Sequence, residues 1–152
     1  MNKIRILIIG LGRIGKIHLA NLQAMDKVEI VGICDPTDEA KVFSNKAGIR
    51  FYQKDFTDIA SEVQTDAVVI CSPTDTHANY VSLAAKKGID VFCEKPLDLS
   101  LKKVKEVLKT VSESKIKLML GFNRRFDSEF QSVKEKIVKG EIGDIYTIKI
   151  TS

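Results

Sequence analysis

Hydrophobic residues recur along the first 120 positions in short runs that alternate with amphipathic stretches. The runs are rich in β-branched residues and leave no polar face, which is typical of parallel strands buried on both sides. Six strands are predicted on this basis, at residues 4–9, 28–34, 49–52, 66–71, 89–93 and 116–120.

Helices are predicted in the intervals between the strands, where apolar residues recur at helical spacing. These helices are expected at residues 13–25, 38–46, 55–61, 76–87 and 101–112. Thr74 or Asp75 is a candidate N-cap for the fourth helix, and Ser100 for the fifth. The alternation predicts an α/β fold, a doubly wound parallel sheet of the Rossmann type.

The pattern changes from about Phe126. An amphipathic helix that stops at Gly140 is predicted from four apolar residues spaced three and four apart: Phe126, Phe130, Val133 and Ile137. Residues 145–151 alternate in polarity, which predicts a strand with one polar face that needs a sheet to join. We therefore expect a dinucleotide-binding domain over residues 1–121, and over 122–152 the start of a truncated α+β domain, mostly antiparallel.

The first strand ends on the motif Gly10-x-Gly12-x-x-Gly15, where a helix begins. Gly10 is expected to form the tight turn, Gly12 to let a pyrophosphate approach the backbone, and Gly15 to let the helix pack close to the strand. The helix N-terminus, with Arg13 and Ile14, would offer free N–H groups to the phosphates. Glycines also mark ordinary turns, so the motif depends on its context.

That context includes Asp35, which ends the second strand twenty residues after Gly15. Its carboxylate would bind the adenosine ribose hydroxyls of NAD and repel the 2′-phosphate of NADP. An Asp before Pro36 also suits a simple turn, so both interpretations stay open. NAD is the expected cofactor, although Thr37 and Lys41 leave NADP as the alternative.

Composition and charge narrow the functional class. The chain has 152 residues, 24 basic against 20 acidic residues and a net charge of +4. Its lysines, most dense between Lys102 and Lys117, are not interleaved with aromatic residues, so we interpret them as a solvated helix face and expect no nucleic-acid partner. No signal peptide or membrane span is evident, and no membrane partner is expected.

The three cysteines, Cys34, Cys71 and Cys93, are the last residues of predicted strands and lack C-x-x-C spacing or histidine partners. We interpret them as small core residues of a reducing, cytoplasmic compartment, and expect no metal site.

Glu94-Lys95-Pro96 follows the fifth strand, where the nicotinamide end of a dinucleotide is expected. A lysine there can accept a proton if burial and a cationic ring lower its pKa, and the following proline is a candidate for a cis bond. A surface loop with an exposed ion pair is the alternative.

Together these motifs resemble the glucose-fructose oxidoreductase, inositol dehydrogenase and rhizopine-catabolism (Gfo/Idh/MocA) family, most closely its inositol 2-dehydrogenases. The resemblance rests on Gly10 to Gly15, Asp35, Ser72-Pro73-Thr74-Asp75-Thr76-His77, Glu94-Lys95-Pro96 and Gly121-Phe122-Asn123-Arg124-Arg125-Phe126-Asp127, in this order. It implies an NAD-dependent dehydrogenase that moves hydride from a secondary alcohol of a cyclic polyol or sugar to the nicotinamide, and a homo-oligomer in full-length form.

The resemblance also implies roles for individual residues. Lys95 matches the catalytic lysine, which also binds substrate; Glu94 matches a ribose ligand and Pro96 the usually cis proline. Asn123 and Arg124 would lie near the substrate, and Arg125 either there or in a domain-joining ion pair. The residues that would line the cofactor are Ser72, Pro73, Thr74 and His77.

Family members continue for about as much chain again and carry an Asp and a His that complete the catalytic group. Neither can be matched here, so the chain alone is expected to be inactive, and His18 is interpreted as a packing or surface residue. Two alternatives stay open: a regulatory module that binds NAD without turnover, and a fragment whose exposed edge strand, residues 145–151, seeks a partner.

Overall fold

The computed structural model describes residues 3–151; Met1, Asn2 and Ser152 lie outside the described residues. The regular elements are β1 (Ile4–Ile9), α1 (Arg13–Gln23), β2 (Val28–Cys34), α2 (Asp38–Lys46), β3 (Phe51–Tyr52), α3 (Phe56–Ile59), β4 (Ala67–Ile70), α4 (Thr74–Lys86), β5 (Asp90–Cys93), α5 (Leu101–Ser114), β6 (Leu118–Leu120), a 3₁₀ turn (Asn123–Phe126) and α6 (Ser128–Val138).

The six strands form one sheet in the order β3-β2-β1-β4-β5-β6, and every neighbouring pair is parallel. The chain starts in the middle, builds one half outward to β3, and then returns to β4 beside β1. This confirms the doubly wound parallel fold, with its switch point between β1 and β4, where such folds bind ligands beyond the carboxyl ends of the strands.

The central strands are buried on both faces. Leu7 and Ile9 of β1 belong to one hydrophobic cluster, which also includes residues of α3, α4 and α5. Ile6 and Ile8 belong to a second cluster, with residues of α1 and α2. Successive side chains of a strand point to opposite faces, so both sets must be apolar, which explains the absence of a polar face in the sequence pattern.

The fourth helix begins earlier than the sequence predicts. It starts at Thr74, with Pro73 as N-cap, and among the described residues no side chain caps it. The expectation that Thr74 or Asp75 caps this helix is therefore wrong. Thr76 N and Oγ1 lie 3.0 Å and 2.7 Å from the Pro73 carbonyl oxygen, so this carbonyl accepts the first-turn bonds and draws Thr74 and Asp75 into the helix. Ser100 does cap α5, as expected, by accepting from Lys103 N.

The chain divides into two compact units, Met1–Gly121 and Phe122–Ser152. In the second unit, the predicted helix begins at Ser128 instead of Phe126. Asp127 caps it by accepting from the backbone N–H groups of Glu129 and Phe130, and a capped start at that position leaves Phe126 in the preceding 3₁₀ turn. Whether this unit begins a second domain stays a prediction.

The prediction of a strand at residues 145–151 is wrong. These residues form no regular element within the part of the chain that the structure describes. Tyr146, Ile148 and Ile150 are 91%, 69% and 79% exposed. A strand needs a neighbouring strand to satisfy its backbone groups, and no described strand pairs with this segment. Within residues 3–151, no helix is both long enough and apolar enough to cross a membrane.

Candidate functional site

The turn over residues 10–15 (the glycine turn) has, at Gly10 and Gly15, the tight turn and the close helix packing expected from the sequence. Gly10 has φ of +88°, and a Cβ on it would lie 2.6 Å from Ser72 N, so only glycine fits there. A Cβ on Gly15 would collide with the Gly10 carbonyl oxygen, which shows how closely α1 packs on the turn. The turn is also anchored to the sheet, since Gly10 N donates to the Cys34 carbonyl at 2.8 Å.

Gly12 differs from the other two glycines, because apart from its two chain neighbours no residue within 3–151 would lie within 4 Å of a Cβ placed on it. It is the N-cap of α1, and within the same residues no side chain caps this helix. Exposed Arg13 and half-buried Ile14 follow in its first turn. The uncapped helix start and the open space over Gly12 together fit a pyrophosphate.

Asp35 lies directly after β2, and its residue is only 8% exposed. Its Oδ2 accepts from Leu11 N at 2.8 Å, and its Oδ1 accepts from Thr37 N at 2.8 Å and from the Thr37 hydroxyl at 2.6 Å. Asp35 therefore does shape the turn, and it also connects that turn to the glycine motif. Because a carboxylate has about four lone-pair positions, one remains for a ribose hydroxyl.

The loop after β4, residues 71–73 (the Ser72 loop), lies beside the glycine turn. His77 joins it to the loop after β5, residues 94–96 (the Lys95 loop). This histidine is 2% exposed, with Nδ1 2.8 Å from the Pro96 carbonyl oxygen and Nε2 2.9 Å from the Ser72 carbonyl oxygen. The neutral ring donates to one of these oxygens, and the protonated ring donates to both. Ser72 Oγ also bonds Thr76 Oγ1 at 2.6 Å. His77 thus holds the Ser72 loop and the Lys95 loop together.

Glu94 and Lys95 lie directly after β5, on the side of the site formed by that strand. Glu94 N donates to the Ile70 carbonyl at 2.9 Å, which extends the sheet ladder by one residue. Lys95 and Pro96 are exposed, and the peptide bond between them is cis, as the sequence suggests. Within residues 3–151, no ion pair joins Glu94 to Lys95, and the Glu94 carboxylate lies against another residue. Lys95 thus presents its ammonium group to solvent.

The residue that pairs with Glu94 is His18, whose role the sequence interpretation missed. His18 Nε2 lies 2.8 Å from Glu94 Oε1, and the ring meets Phe92 edge to face at 4.9 Å between centroids. The spacing along the chain indicates the face of α1 on which His18 lies, but not its partner. His18 follows Gly15 by three residues and so shares the face of α1 that packs toward the turn.

The candidate residues follow one another along the carboxyl edge of the sheet. Asp35 follows β2, Gly10 follows β1, Ser72 lies just beyond β4, and Glu94 follows β5. Asp35 and Glu94 are therefore three strand spacings apart, about 14 Å, with the glycine turn between them. An extended dinucleotide lying across this edge would meet a ribose ligand at each end and free N–H groups in the middle.

Asn123, Arg124 and Arg125 belong to the second unit, in its 3₁₀ turn. All three are exposed. Arg124 Nη1 lies 3.3 Å from Asp127 Oδ2, with its guanidinium over the Phe130 ring, and Arg125 lies over Phe122. Their roles toward a substrate stay predictions.

The three cysteines are free, and burial raises the pKa of each thiol to about 12. Such thiols carry almost no thiolate at neutral pH and are poor nucleophiles, which fits a packing role. Cys34 and Cys93 are buried, and Cys71 is partly buried. Among residues 3–151, no group of three or more His, Cys, Asp or Glu side chains could hold a metal ion.

Comparison with known proteins agrees with this geometry. A model of the Gfo/Idh/MocA proteins, described as an oxidoreductase family with an NAD-binding Rossmann fold, matches residues 4–122. Inositol 2-dehydrogenase of Rhizobium meliloti (strain 1021) is 40% identical over 150 residues, which cover 98% of this chain and 45% of the relative. Myo-inositol 2-dehydrogenase of Thermotoga maritima is 40% identical over 149 residues, with 97% and 45% coverage.

A solved structure of scyllo-inositol dehydrogenase from Lactobacillus casei, with bound NAD(H) and scyllo-inositol, superposes with a TM-score of 0.87. It is 31% identical to this chain and covers 95% of it, whereas the chain covers 43% of that structure. This chain therefore spans a little under half the length of the curated relatives it matches. Both the Rossmann fold and NAD as the cofactor, expected from the sequence, are confirmed.

Proposed function

The chain belongs to the Gfo/Idh/MocA oxidoreductase family, and from that premise we propose that it supplies the cofactor-binding half of an NAD-dependent dehydrogenase. The proposed enzyme oxidises a secondary alcohol of a cyclic polyol or sugar, of the inositol class. One observation carries the proposal: Asp35, the open glycine turn and the Glu94-Lys95-Pro96 loop lie in sequence along one edge of the sheet.

NAD supplies the hydride acceptor when it is bound. We assign its binding to three parts of this chain. Asp35 would accept a hydrogen bond from the adenosine ribose, and the α1 N-terminus from Gly12 to Ile14 would bind the pyrophosphate. Glu94, supported by the Ser72 loop with Pro73, Thr74 and His77, would hold the nicotinamide end.

Lys95 is the proposed catalytic residue. Its ammonium group is exposed beyond the end of β5, and the neighbouring carboxylate is already paired with His18, so its N–H groups are available to a ligand. There it would hold the substrate hydroxyl, and in its neutral amine form it would accept the hydroxyl proton. Asn123 and Arg124 are proposed hydrogen-bond donors to the other hydroxyls of the polyol.

The substrate class is supported by the relatives at 40% identity, which are named for inositol. The domain assignment, residues 1–121 for cofactor binding and 122–152 for the start of the substrate domain, is part of the same proposal. So are a homo-oligomeric state and a cytoplasmic location, the latter supported by three free thiols.

Replacement of Lys95 tests the proposal in the complete gene product. Lys95→Ala should lower kcat for inositol oxidation by at least about a hundredfold, because an acid–base group contributes on the order of 10² to 10⁴. The affinity for NADH should change little. Lys105→Ala, at an exposed site on α5, is the control and should keep full turnover. A Lys95→Ala enzyme with unchanged kcat would refute the role.

The coding sequence beyond the Ser152 codon distinguishes between the two hypotheses, a dehydrogenase and a module that only binds NAD. An open frame that encodes a second domain with a suitably placed Asp and His supports the dehydrogenase. A stop codon there favours a protein that binds NAD without turnover.

A further inference from the structure

Three parts of the first unit meet at the Glu94 carboxylate. Its Oε1 is 2.8 Å from His18 Nε2 on α1, and its Oε2 is 3.3 Å from Lys95 N. Gly121, after β6, lies so close that a Cβ there would be 3.0 Å from Oε1 and 3.1 Å from Oε2. The carboxylate therefore has little freedom to move toward β6.

His18 is the only side chain of residues 3–151 that bonds this carboxylate. The Glu94 and His18 side chains are 21% and 25% exposed, so each is largely withdrawn from water. A carboxylate in such a place needs a donor, and its ionised form accepts from an N–H more strongly than a neutral group does. The edge contact with Phe92 holds the imidazole ring in the orientation that aims Nε2 at Oε1.

His18 also belongs to the helix whose first turn is the proposed pyrophosphate site. It follows Ile14 by four residues, which places the two side chains on the same face of α1, one turn apart. A single hydrogen bond therefore connects the helix that starts at the glycine turn to the loop that carries Lys95.

We propose that His18 is a positioning residue for the cofactor. By occupying Glu94 Oε1, it fixes the carboxylate so that Oε2 stays available to the ribose at the nicotinamide end, and it keeps the Lys95 loop in register with α1. This inference rests on the proposed function, since it assigns the support for Glu94 in the same site.

Two substitutions separate the hydrogen bond from simple packing. His18→Phe keeps an aromatic ring against Phe92 and removes the donor. His18→Gln keeps a donor that reaches Oε1. The control is Asn21→Ala, an exposed residue on the same helix. The binding of NADH to each folded chain is measured by fluorescence titration, and unfolding by circular dichroism.

We expect His18→Phe to weaken NADH binding by at least about tenfold, because a hydrogen bond to a charged group is lost. His18→Gln should restore most of the affinity, and Asn21→Ala should match the original chain. In a Glu94→Ala background, His18→Phe should have little further effect, since no acceptor is left for His18. A long-range ¹H–¹⁵N spectrum should show the His18 proton on Nε2; with two histidines in the chain, His18→Phe identifies its signal.

The inference is overturned if His18→Phe binds NADH as tightly as the original chain, or if the effects of His18→Phe and Glu94→Ala simply add. A purely structural role would lower the thermal stability of both His18 variants and leave the NADH affinity of the folded molecules unchanged. A folded original chain that does not bind NADH would instead refute the proposed function itself, and the positioning role with it.

Discussion

At the scale of single residues, Asp35 forms a turn and is also the proposed ribose ligand. Its carboxylate accepts from Thr37 N, which makes a turn, and from Leu11 N, which ties that turn to the glycine motif. These bonds hold the side chain still before a cofactor arrives, so little conformational entropy is lost on binding. The negative charge that would favour NAD over NADP is therefore placed by the same bonds.

Asp35→Asn should reduce the preference for NADH over NADPH. The amide keeps the size of the side chain and one acceptor, but loses the charge that repels a 2′-phosphate. We expect the ratio of the two dissociation constants to shift by at least about tenfold toward NADPH. Titrations of the chain with each nucleotide measure it, and Asp26→Asn, in the exposed turn after α1, is the control. An unchanged ratio would reject the ribose assignment for Asp35.

His18 shows why some of the site could not be predicted. The motif of three glycines and an acid marks its members by spacing along the chain, because the turn itself dictates that spacing. The bond between His18 and Glu94 joins residues 76 positions apart, and nothing local in either segment requires the other. Only the sheet order, which brings β5 two strands from β1, makes them neighbours.

At the scale of elements, local signals determine most boundaries. The predicted β2 and α2 match the structure residue for residue, because Asp35 to Thr37 separates them with a turn and a cap. The predicted β3 is longer than the observed Phe51–Tyr52, since its register depends on pairing with the last two residues of β2. The strand prediction for residues 145–151 is wrong for the same reason. Alternation of polarity specifies which face is buried, but it does not specify the partner strand.

The opposite end of the sheet provides a test by pH. Arg5 on β1 and Asp66, just before β4, are paired at 2.8 Å, and hydrogen bonds from the Arg5 side chain lower the pKa of Asp66 to about 2 from 3.8. A carboxyl whose pKa is lower in the folded state stabilises the fold above its unfolded pKa. That contribution is lost as pH falls through the folded value.

Asp66→Asn should therefore lower the melting temperature at pH 6, where the pair is fully charged. The difference between the two chains should shrink between pH 4 and pH 2, as Asp66 takes up its proton. Thermal melts across that range, followed by circular dichroism, measure the effect. A gap that stays constant down to pH 2 would contradict the assigned pairing.

At the scale of the whole molecule, the first unit contains every proposed cofactor ligand, from the glycine turn to Glu94. The sheet order brings them to one edge, and the two hydrophobic clusters on its faces hold that edge in place. The assignment of the fold and the assignment of the cofactor both rest on this unit alone. In the proposed function, substrate choice is assigned to groups such as Asn123 and Arg124 in the second unit, and to the additional chain that the relatives have.

The affinity of the chain for NADH, compared with that of a Gly12→Ala variant, decides whether the glycine turn is a cofactor site. Apart from its two chain neighbours, a methyl group at Gly12 would meet no residue within 3–151, so the free energy of unfolding of the variant should lie within about 1 kcal/mol of the original value. The methyl group would occupy the space assigned to the pyrophosphate, and we expect NADH affinity to fall by more than about tenfold. Equal affinity in the two chains, or no NADH binding by a folded original chain, would contradict the assignment.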